Sequence, residues 1–454
     1  GSVTITANNR ILRSASNADG VNIVADAVNL TSVYGGSSSG LAISAFTTAT
    51  SSLSATVNGT ASYGGISIQN FGAQPGTISL TDNAANPANV SGGKASISFY
   101  NSGNLAVGAG TTFSNGVNNG DIAITSGGSL DYTGGLASTS GGILLGAKAG
   151  LTMSSGLTTA GLLQLSAGTK LDVDSSIGGS YVTLVAPTIN INDSVVDAVN
   201  DAILTGSVIN IDAGDVSAAN VLLRGPVLGT GSLFLTGGGH VNASGQLEFN
   251  LANITADGGF LKASSSSSNI TGFISGNITL DNGAYIEAGD DINLSFSGGS
   301  SQISLSNGSY VISDTQQSPG TTYLNFLARS TGGILIDGRE TTDSSSGGSG
   351  FFVLDTETPA TTRAGGGLVI TYANGVVVDP CASSPDLCKP PTAVDPIIDV
   401  VEADPCATAP DSAQCKAQKP GDDEDKEKDQ FGDEQENGKK DEKSSQKKVA
   451  QCGV

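Results

Sequence analysis

Short apolar triplets recur through the middle of the chain with a period of about 20 residues. One series starts at Ile143, Leu162, Val182, Ile203 and Val221, in steps of 19, 20, 21 and 18 residues. A second series lies between them and starts at Leu151, Leu171, Ile189 and Ile209, in steps of 20, 18 and 20. Two series that share one period indicate a structural repeat, and this repeat limits the chain to a small set of folds.

The repeat predicts an all-β fold in which short strands stack as a β-solenoid. Successive side chains of a strand point to opposite faces, so the residues of each triplet alternate between inward and outward positions. Gly, Asn, Asp and Ser between the triplets supply the corners. One turn cannot bury its own apolar face, whereas stacked turns bury a continuous column. We expect these side chains to point inward: Leu163, Leu165, Leu171, Val173, Val182, Leu184, Ile189, Ile191, Ile209 and Ile211.

We expect residues 1–376 to form one continuous solenoid of about 18 turns, about 85 Å long. The composition fits, since 63 of 454 residues are Gly and only 14% are charged, against about 25% in an ordinary globular protein. The chain starts in strand-like alternation without an initiator Met, so we expect a fragment of a longer protein.

Net charge argues against a nucleic-acid partner, and hydropathy argues against a membrane-spanning helix. The formal charge of −22 argues against nucleic acid, because phosphate binding needs an excess of Lys and Arg. No segment approaches the roughly 20 apolar residues of a membrane-spanning helix, so no transmembrane helix is expected.

The chemistry of the chain changes after residue 376. Residues 377–420 are rich in Pro and Cys, and residues 421–454 form a tail of mixed charge that we expect to be disordered. All five cysteines fall here: Cys381, Cys388, Cys406, Cys415 and Cys452.

The cysteines follow a local duplication, DPCASSPDLCK at 379–389 and DPCATAPDSAQCK at 404–416. Two copies of one motif predict two small disulfide loops, Cys381–Cys388 and Cys406–Cys415, with Cys452 free or linked to another molecule. Six and eight intervening residues suit zinc poorly, so no metal site is expected.

The search for catalytic residues gives only weak candidates. Asp290–Asp291 and the pair Asp172 and Asp174 are the carboxylates to consider for polysaccharide cleavage, although corner carboxylates are usually solvated. The single histidine, His240, lies in GGGHVNAS and is expected to be a turn residue. We therefore predict no catalytic, cofactor-binding or metal-binding residue and no cofactor. Two alternatives stay open: a polysaccharide-active β-helix enzyme, lyase or glycosidase, and an autotransporter passenger or phage fibre.

Nearly the whole chain resembles a known family. The 20-residue repeats, the segments GGILIDG and SGFF…GGGLVITY, the DPCA…C loops and the charged tail ending in KKVAQC are similar to the C-terminal part of two-partner-secretion exoproteins. These are the filamentous-haemagglutinin-like adhesins of Gram-negative bacteria. The resemblance implies a right-handed parallel β-helix that is exported through an outer-membrane transporter barrel and serves in attachment or biofilm cohesion.

The resemblance also implies a location and partners. The expected protein is a non-enzymatic adhesin stalk on the cell surface, associated with the outer membrane, with a host-cell or matrix polysaccharide or protein as its receptor. In some members a C-terminal cysteine loop holds the adhesin in the transporter pore. The family's N-terminal secretion domain has no counterpart in this sequence.

Overall fold

The computed structural model describes residues 1–12, 21–35, 40–59, 63–90, 93–115, 119–137, 141–265, 267–289, 292–296, 302–305, 309–312, 324–328, 335–337, 370–371 and 377–378. These residues contain 39 strands, and none of them lies in a helix. The all-β prediction is confirmed.

The strands before residue 140 are β1 (Ser2–Ala7), β2 (Ala27–Ser32), β3 (Ile43–Thr47), β4 (Ser52–Val57), β5 (Ile66–Asn70), β6 (Thr77–Asp82), β7 (Ala88–Val90), β8 (Gly93–Asn101), β9 (Leu105–Val107), β10 (Thr111–Ser114), β11 (Asp121–Ser126), β12 (Leu130–Tyr132) and β13 (Leu136–Ala137). The middle strands are β14 (Ile143–Ala147), β15 (Leu151–Met153), β16 (Leu157–Thr158), β17 (Leu162–Ala167), β18 (Lys170–Val173), β19 (Ile177–Val185), β20 (Thr188–Asn192), β21 (Val195–Thr205), β22 (Val208–Asp212), β23 (Asp215–Ala218), β24 (Asn220–Arg224), β25 (Ser232–Thr236) and β26 (His240–Ala243). The last strands are β27 (Leu247–Leu251), β28 (Asn253–Asp257), β29 (Phe260–Ala263), β30 (Ile270–Ile274), β31 (Ile278–Asp281), β32 (Tyr285–Ala288), β33 (Ile292–Phe296), β34 (Gln302–Leu305), β35 (Tyr310–Ile312), β36 (Leu324–Ala328), β37 (Leu335–Asp337), β38 (Ile370–Thr371) and β39 (Val377–Val378).

Parallel pairing between successive turns arranges the strands in three sheets around one core. Sheet I contains β3, β5, β8, β11, β14, β17, β19, β21, β24, β27, β30, β33 and β36. Sheet II is the 11-stranded ladder from β9 to β37. Sheet III is the six-stranded ladder β1-β2-β4-β6-β10-β13 of the early turns. Its place is taken later by β16, β23, β26, β29, β32, β35 and the first parts of β19 and β21. The described residues therefore form a parallel β-solenoid.

The core is a column of aliphatic side chains that runs through the stack. All ten residues predicted to point inward are fully buried. The pairings Leu171↔Ile189 and Ile189↔Ile209 confirm the second triplet series. In the first series the register does not follow the cluster starts: Ile143 and Val182 both align with Leu163, and Val182 aligns next with Ala202. Leu162 and Ile203 therefore occupy outward positions.

The predicted number of turns is wrong. Sheet II has 11 strands, so the described residues contain about 11 three-sided turns rather than 18. The cause is a variable turn length: Asp172 and Asn190, in adjacent turns, are 18 residues apart, whereas Asn70 and Asn101, also in adjacent turns, are 31 apart.

Several predictions concern residues that the structure does not describe. The domain boundary at 376, the residues 421–454 and all five cysteines, Cys381, Cys388, Cys406, Cys415 and Cys452, lie outside the described residues. The short strands β38 and β39 pair antiparallel with each other. Among the described residues no helix is long and apolar enough to cross a membrane.

Candidate functional site

The structure describes only one of the two carboxylate pairs that the sequence offered as catalytic candidates. Asp290 and Asp291 lie outside the described residues. Asp172, on the outer face of sheet II, accepts a hydrogen bond from Asn190 Nδ2 at 2.7 Å and pairs with Lys170 Nζ at 3.0 Å. Asp174 accepts from Asn192 Nδ2 at 2.8 Å. Each carboxylate is thus hydrogen-bonded to a side chain of the next turn, and Asp172 also pairs with Lys170 of its own turn.

This arrangement recurs along the solenoid. Asp201 accepts from Asn220 Nδ2 at 2.8 Å, and Asp212 accepts from Thr236 Oγ1 at 2.9 Å. Asp257 accepts from Asn282 Nδ2 at 2.5 Å. In each of these pairs the carboxylate lies in one turn and a neutral donor lies in the next. Charge-assisted hydrogen bonds of this kind link adjacent turns, which gives these carboxylates a structural role.

His240 is the first residue of β26, not a turn residue as the sequence suggested. The turn is made by Gly237 and Gly238, both with positive φ, a conformation that glycine adopts without steric cost. The imidazole then starts the strand on its outer face, with Nδ1 3.2 Å from the Gly238 carbonyl oxygen.

Pairing of β23 with β26 brings Asp215 and Ser217 close to His240. His240 Nε2 lies 3.2 Å from Asp215 Oδ1, and Ser217 Oγ donates to Asp215 Oδ2 at 2.9 Å. Asp215 Oδ1 has no partner with hydrogen-bond geometry among the described residues, so the contact with His240 is an ion pair only when the ring is protonated.

The order of these three side chains determines what they can do chemically. A nucleophilic serine donates its proton to histidine, and a carboxylate orients that histidine from the other side. Here the carboxylate lies between the serine and the histidine, so the Ser217 hydroxyl points its proton at Asp215. This arrangement does not activate Ser217 through the imidazole.

His240 also begins a ladder of stacked rings. Its ring centroid lies 4.5 Å from that of Phe260 at an interplanar angle of 16°, and the Phe260 ring lies 4.8 Å from that of Tyr285 at 8°. The spacing equals the separation of neighbouring strands, about 4.8 Å. The rings cover one another's faces and present their edges to solvent, so the ladder strengthens the stack and leaves no open ring face between its members for a sugar.

The ladder has a sequence signal that the triplet analysis missed. Each of the three rings follows a glycine-containing corner at the start of a strand, in GGHVNA, GGFLKA and GAYIEA, and the sequence GSYVIS repeats the pattern. The aromatic positions His240, Phe260, Tyr285 and Tyr310 are paired by register in successive turns. An alignment on these hexapeptides would have predicted the ladder.

A second column of outward side chains runs beside the rings and contains Asn242, Lys262 and Glu287. Lys262 Nζ lies 2.8 Å from Glu287 Oε1. Asn242 is paired with Lys262 in register, and its buried Oδ1 has no hydrogen-bond partner among the described residues. The column therefore contains one satisfied ion pair and one unsatisfied acceptor.

One corner between sheets I and II carries an insertion. Seven residues, 225–231, separate β24 from β25, whereas two residues separate β21 from β22 and one separates β27 from β28. This segment, which we call the 225–231 loop, exposes Val227 and Leu228, each 65% accessible.

Hydrogen bonds fix the loop to the two following turns. Gly229 N–H donates to Asn250 Oδ1 at 3.1 Å, and Ser275 Oγ donates to the Gly229 carbonyl oxygen at 2.6 Å. Within the loop, Thr230 Oγ1 accepts from the Val227 N–H at 3.1 Å and donates to the Val227 carbonyl oxygen at 2.7 Å. The loop is thus an ordered projection that extends along the solenoid axis.

Burial perturbs two carboxyl groups on sheet I. Desolvation raises the pKa of Glu248, an effect that the charge of Arg224 partly opposes. Desolvation also raises the pKa of Asp121, opposed by a hydrogen bond from the Gly142 N–H and by the charge of Lys94. Neither Asp215 nor His240 is among the causes of these two shifts.

Within the described residues, no group of three or more His, Cys, Asp or Glu side chains is placed to hold a metal ion. In comparisons with known proteins, no family model, no curated protein and no solved structure matches this chain. The features of the described residues that bear on function are therefore the solenoid, its outward ladders and the 225–231 loop.

Proposed function

We propose that the chain is the stalk of a non-enzymatic bacterial surface adhesin of the two-partner-secretion type. The proposal rests on one observation: outward side chains of one turn pair with outward side chains of the next. The Asp–Asn ladder, the ring ladder and the Lys262–Glu287 pair all link one turn to the next. Such a stack is a stiff rod suited to display, in keeping with repeat proteins that expose extended surfaces.

The resemblance of the C-terminal segments supports the export route and the location. A parallel solenoid passes a narrow outer-membrane barrel as an extended chain and folds outside, where each turn stacks on the one before. The predicted receptor is a polysaccharide or protein of a host cell or a matrix, and the working place is the cell surface.

A binding experiment tests the proposal directly. Purified chain should bind to cells or to matrix polysaccharide in a saturable manner and leave the polysaccharide's viscosity unchanged. A decrease in viscosity that is lost in Asp215→Asn or in Asp172→Asn would favour the alternative of a polysaccharide-active enzyme. Absence of binding to every surface tested would contradict the adhesin proposal.

Retention on the cell is assigned to the cysteine loops. An oxidised loop closed by Cys381–Cys388 or Cys406–Cys415 is bulkier than an extended strand and would arrest the last segment in the pore. Replacing these four cysteines by Ser should release a folded protein into the medium. A protease-sensitive solenoid that stays on the cell would instead show that the loops cap the stack.

A further inference from the structure

The contact between Asp215 and His240 places two hydrogen-bond acceptors against each other. The Gly238 carbonyl oxygen can only accept, so at 3.2 Å from Nδ1 it holds the ring proton on that nitrogen. In the neutral ring Nε2 then carries a lone pair, and it lies 3.2 Å from Asp215 Oδ1. Oδ1 is buried and has no hydrogen-bond partner among the described residues. Two acceptors at this distance repel each other unless a positive charge joins them.

The distance between the two atoms suits a shared metal ion. Zinc bonds to nitrogen and oxygen are about 2.0–2.2 Å long, so neighbouring ligand atoms of one zinc ion lie about 3.0–3.5 Å apart. Nε2 of His240 and Oδ1 of Asp215 are 3.2 Å apart. Because their contact lacks hydrogen-bond geometry, the Nε2 lone pair does not point along the line to Oδ1 and can be directed at a cation beside that line.

Both side chains are held in the way that metal ligands usually are. A histidine that binds a metal commonly donates its other N–H to a carbonyl oxygen, and a ligating carboxylate is itself hydrogen-bonded. His240 has the first of these contacts, to Gly238. Asp215 has the second, since Ser217 Oγ donates to its Oδ2 at 2.9 Å and leaves Oδ1 for another partner. The Phe260 ring, stacked on the imidazole at 4.5 Å, further fixes the orientation of His240.

A third oxygen atom without a partner lies on the same outer face. Asn242 follows His240 by two positions in β26 and is paired in register with Ser217. Its Oδ1 is buried and makes no hydrogen bond within the part of the chain that the structure describes. Amide oxygens bind metal ions as carboxylate oxygens do, so Asn242 can supply a further donor atom directly or through a water molecule.

We propose that Asp215 Oδ1 and His240 Nε2 bind one divalent transition-metal ion, with Asn242 Oδ1 as a third donor and water in the remaining positions. The imidazole favours ions such as Zn²⁺ over Mg²⁺, which prefers oxygen ligands. The two main ligands lie on β23 and β26, and the 225–231 loop belongs to the turn that joins these strands. The ion thus crosslinks two adjacent turns of the solenoid across this insertion.

The single histidine of the chain gives this site its own spectroscopic signal. The experiment uses the full chain labelled with ¹⁵N-histidine, at pH 7.5. Zn²⁺, added in excess over the five cysteines, should shift the Nε2 resonance in a saturable manner and leave the proton on Nδ1. Mg²⁺ at the same concentration should leave both ring nitrogens unchanged.

Two variants and a control show which side chains bind the ion. Asp215→Asn should raise the Kd for Zn²⁺ about tenfold or more. Ser217→Ala should raise it by a smaller factor, because Ser217 only orients the carboxylate. Asp172→Asn is the matched control, since Asp172 is also hydrogen-bonded to a side chain of the next turn, and it should leave the Kd unchanged. Circular dichroism checks that each variant keeps the strand signal of the wild type.

Three results would overturn the proposal. If Zn²⁺ up to about 1 mM leaves the ring nitrogens of His240 unchanged, a proton on Nε2 and not a metal ion joins the ring to Asp215. If Asp215→Asn binds Zn²⁺ as tightly as the wild type, the histidine takes up the ion alone. If Mg²⁺ shifts Nε2 as strongly as Zn²⁺ does, the site does not select a transition metal.

Discussion

The side-chain amide of Gln74 pairs with the backbone of Ala106 as a neighbouring strand would. Nε2 donates to the Ala106 carbonyl oxygen at 2.8 Å, and Oε1 accepts from the Ala106 N–H at 2.6 Å. Ala106 is the middle residue of β9, the first strand of sheet II. An edge strand exposes unpaired backbone groups, and at this edge the glutamine amide satisfies them.

Gln74→Ala should therefore destabilise the start of sheet II. Each hydrogen bond contributes about 0.5–1.5 kcal/mol, and at this exposed position we expect the low end, about 1 kcal/mol for the two. Gln74→Glu keeps an acceptor but loses the donor, so it should fall between the wild type and Gln74→Ala. Urea unfolding measures the change, with Gln246→Ala as a control at an exposed glutamine whose side chain makes no such pair. Equal stability of Gln74→Ala and the control would contradict the assignment.

Gly272 makes room for a large neighbour in the core. It aligns with Phe249 in the turn before and with Leu294 in the turn after. A Cβ at Gly272 would lie 2.1 Å from Phe249 Cε2 and 2.8 Å from Leu294 Cδ2. The phenyl ring thus occupies the space that a side chain at 272 would need.

Gly272→Ala should destabilise the fold by about 1–3 kcal/mol, the usual effect of overpacking. Gly146→Ala is the matched control, because there the nearest atoms to the added Cβ would be Ser166 Oγ at 3.3 Å and Thr125 Cγ2 at 3.6 Å. In the double variant Gly272→Ala/Phe249→Leu the two effects should be less than additive, because the smaller side chain gives the methyl group room. Full additivity in thermal unfolding would show that the two positions do not compete for space.

The buried column could be predicted from the sequence because the 20-residue repeat and the two-residue alternation within each strand agree there. Leu171, Ile189 and Ile209 repeat along the chain, and the residues two positions on, such as Val173, repeat with them, so period and alternation fix the inward face together. Where three apolar residues are consecutive, alternation no longer identifies the inward ones. This is why the cluster starts Leu162 and Ile203 do not mark the inward positions, which Leu163 and Ala202 hold.

The outward ladders were harder to predict, because they depend on which turns are neighbours. The contact between Asp215 and His240 joins residues 25 positions apart, a spacing set by the seven-residue 225–231 loop between them. A uniform period of about 20 residues would have aligned His240 with Asn220 instead. The turns are regular at the pairs Asp172–Asn190 and Asp201–Asn220, which are 18 and 19 residues apart. The repeat length that predicted the core could therefore have predicted these pairs as well.

The ring ladder should contribute to stability through Phe260, which stacks on both its neighbours. Phe260→Ala removes two ring contacts, each worth about 0.5–1.5 kcal/mol, together with partly buried apolar area. Phe260→Leu keeps most of that area and should recover only part of the loss, whereas Phe260→Tyr should be close to the wild type. Urea unfolding ranks the three. If the leucine variant matches the tyrosine variant, ring stacking adds nothing beyond the area buried.

Glu248 should make the stability depend on pH in an unusual direction for a carboxyl group. It is held on the outer face of sheet I between Leu222 and Thr271, and desolvation raises its pKa above the ordinary 4.5 despite the charge of Arg224. A pKa that is higher in the folded than in the unfolded state means that the folded state prefers the proton. The contribution of this group to stability is thus fully present below the ordinary pKa and is lost as pH rises through the raised one.

Glu248→Gln replaces the carboxylate by a neutral group of the same shape, so it should be more stable than the wild type at pH 7. The advantage should shrink as pH falls and vanish below the ordinary carboxyl pKa, where the wild-type side chain is also neutral. Glu287→Gln is the matched control with the opposite expectation, because it removes the 2.8 Å ion pair with Lys262 and should destabilise the fold at pH 7. Urea unfolding of the three proteins from pH 4 to pH 8 measures the trend. A Glu248→Gln variant that is less stable than the wild type at neutral pH would mean that the attraction of Arg224 outweighs the desolvation of the carboxylate.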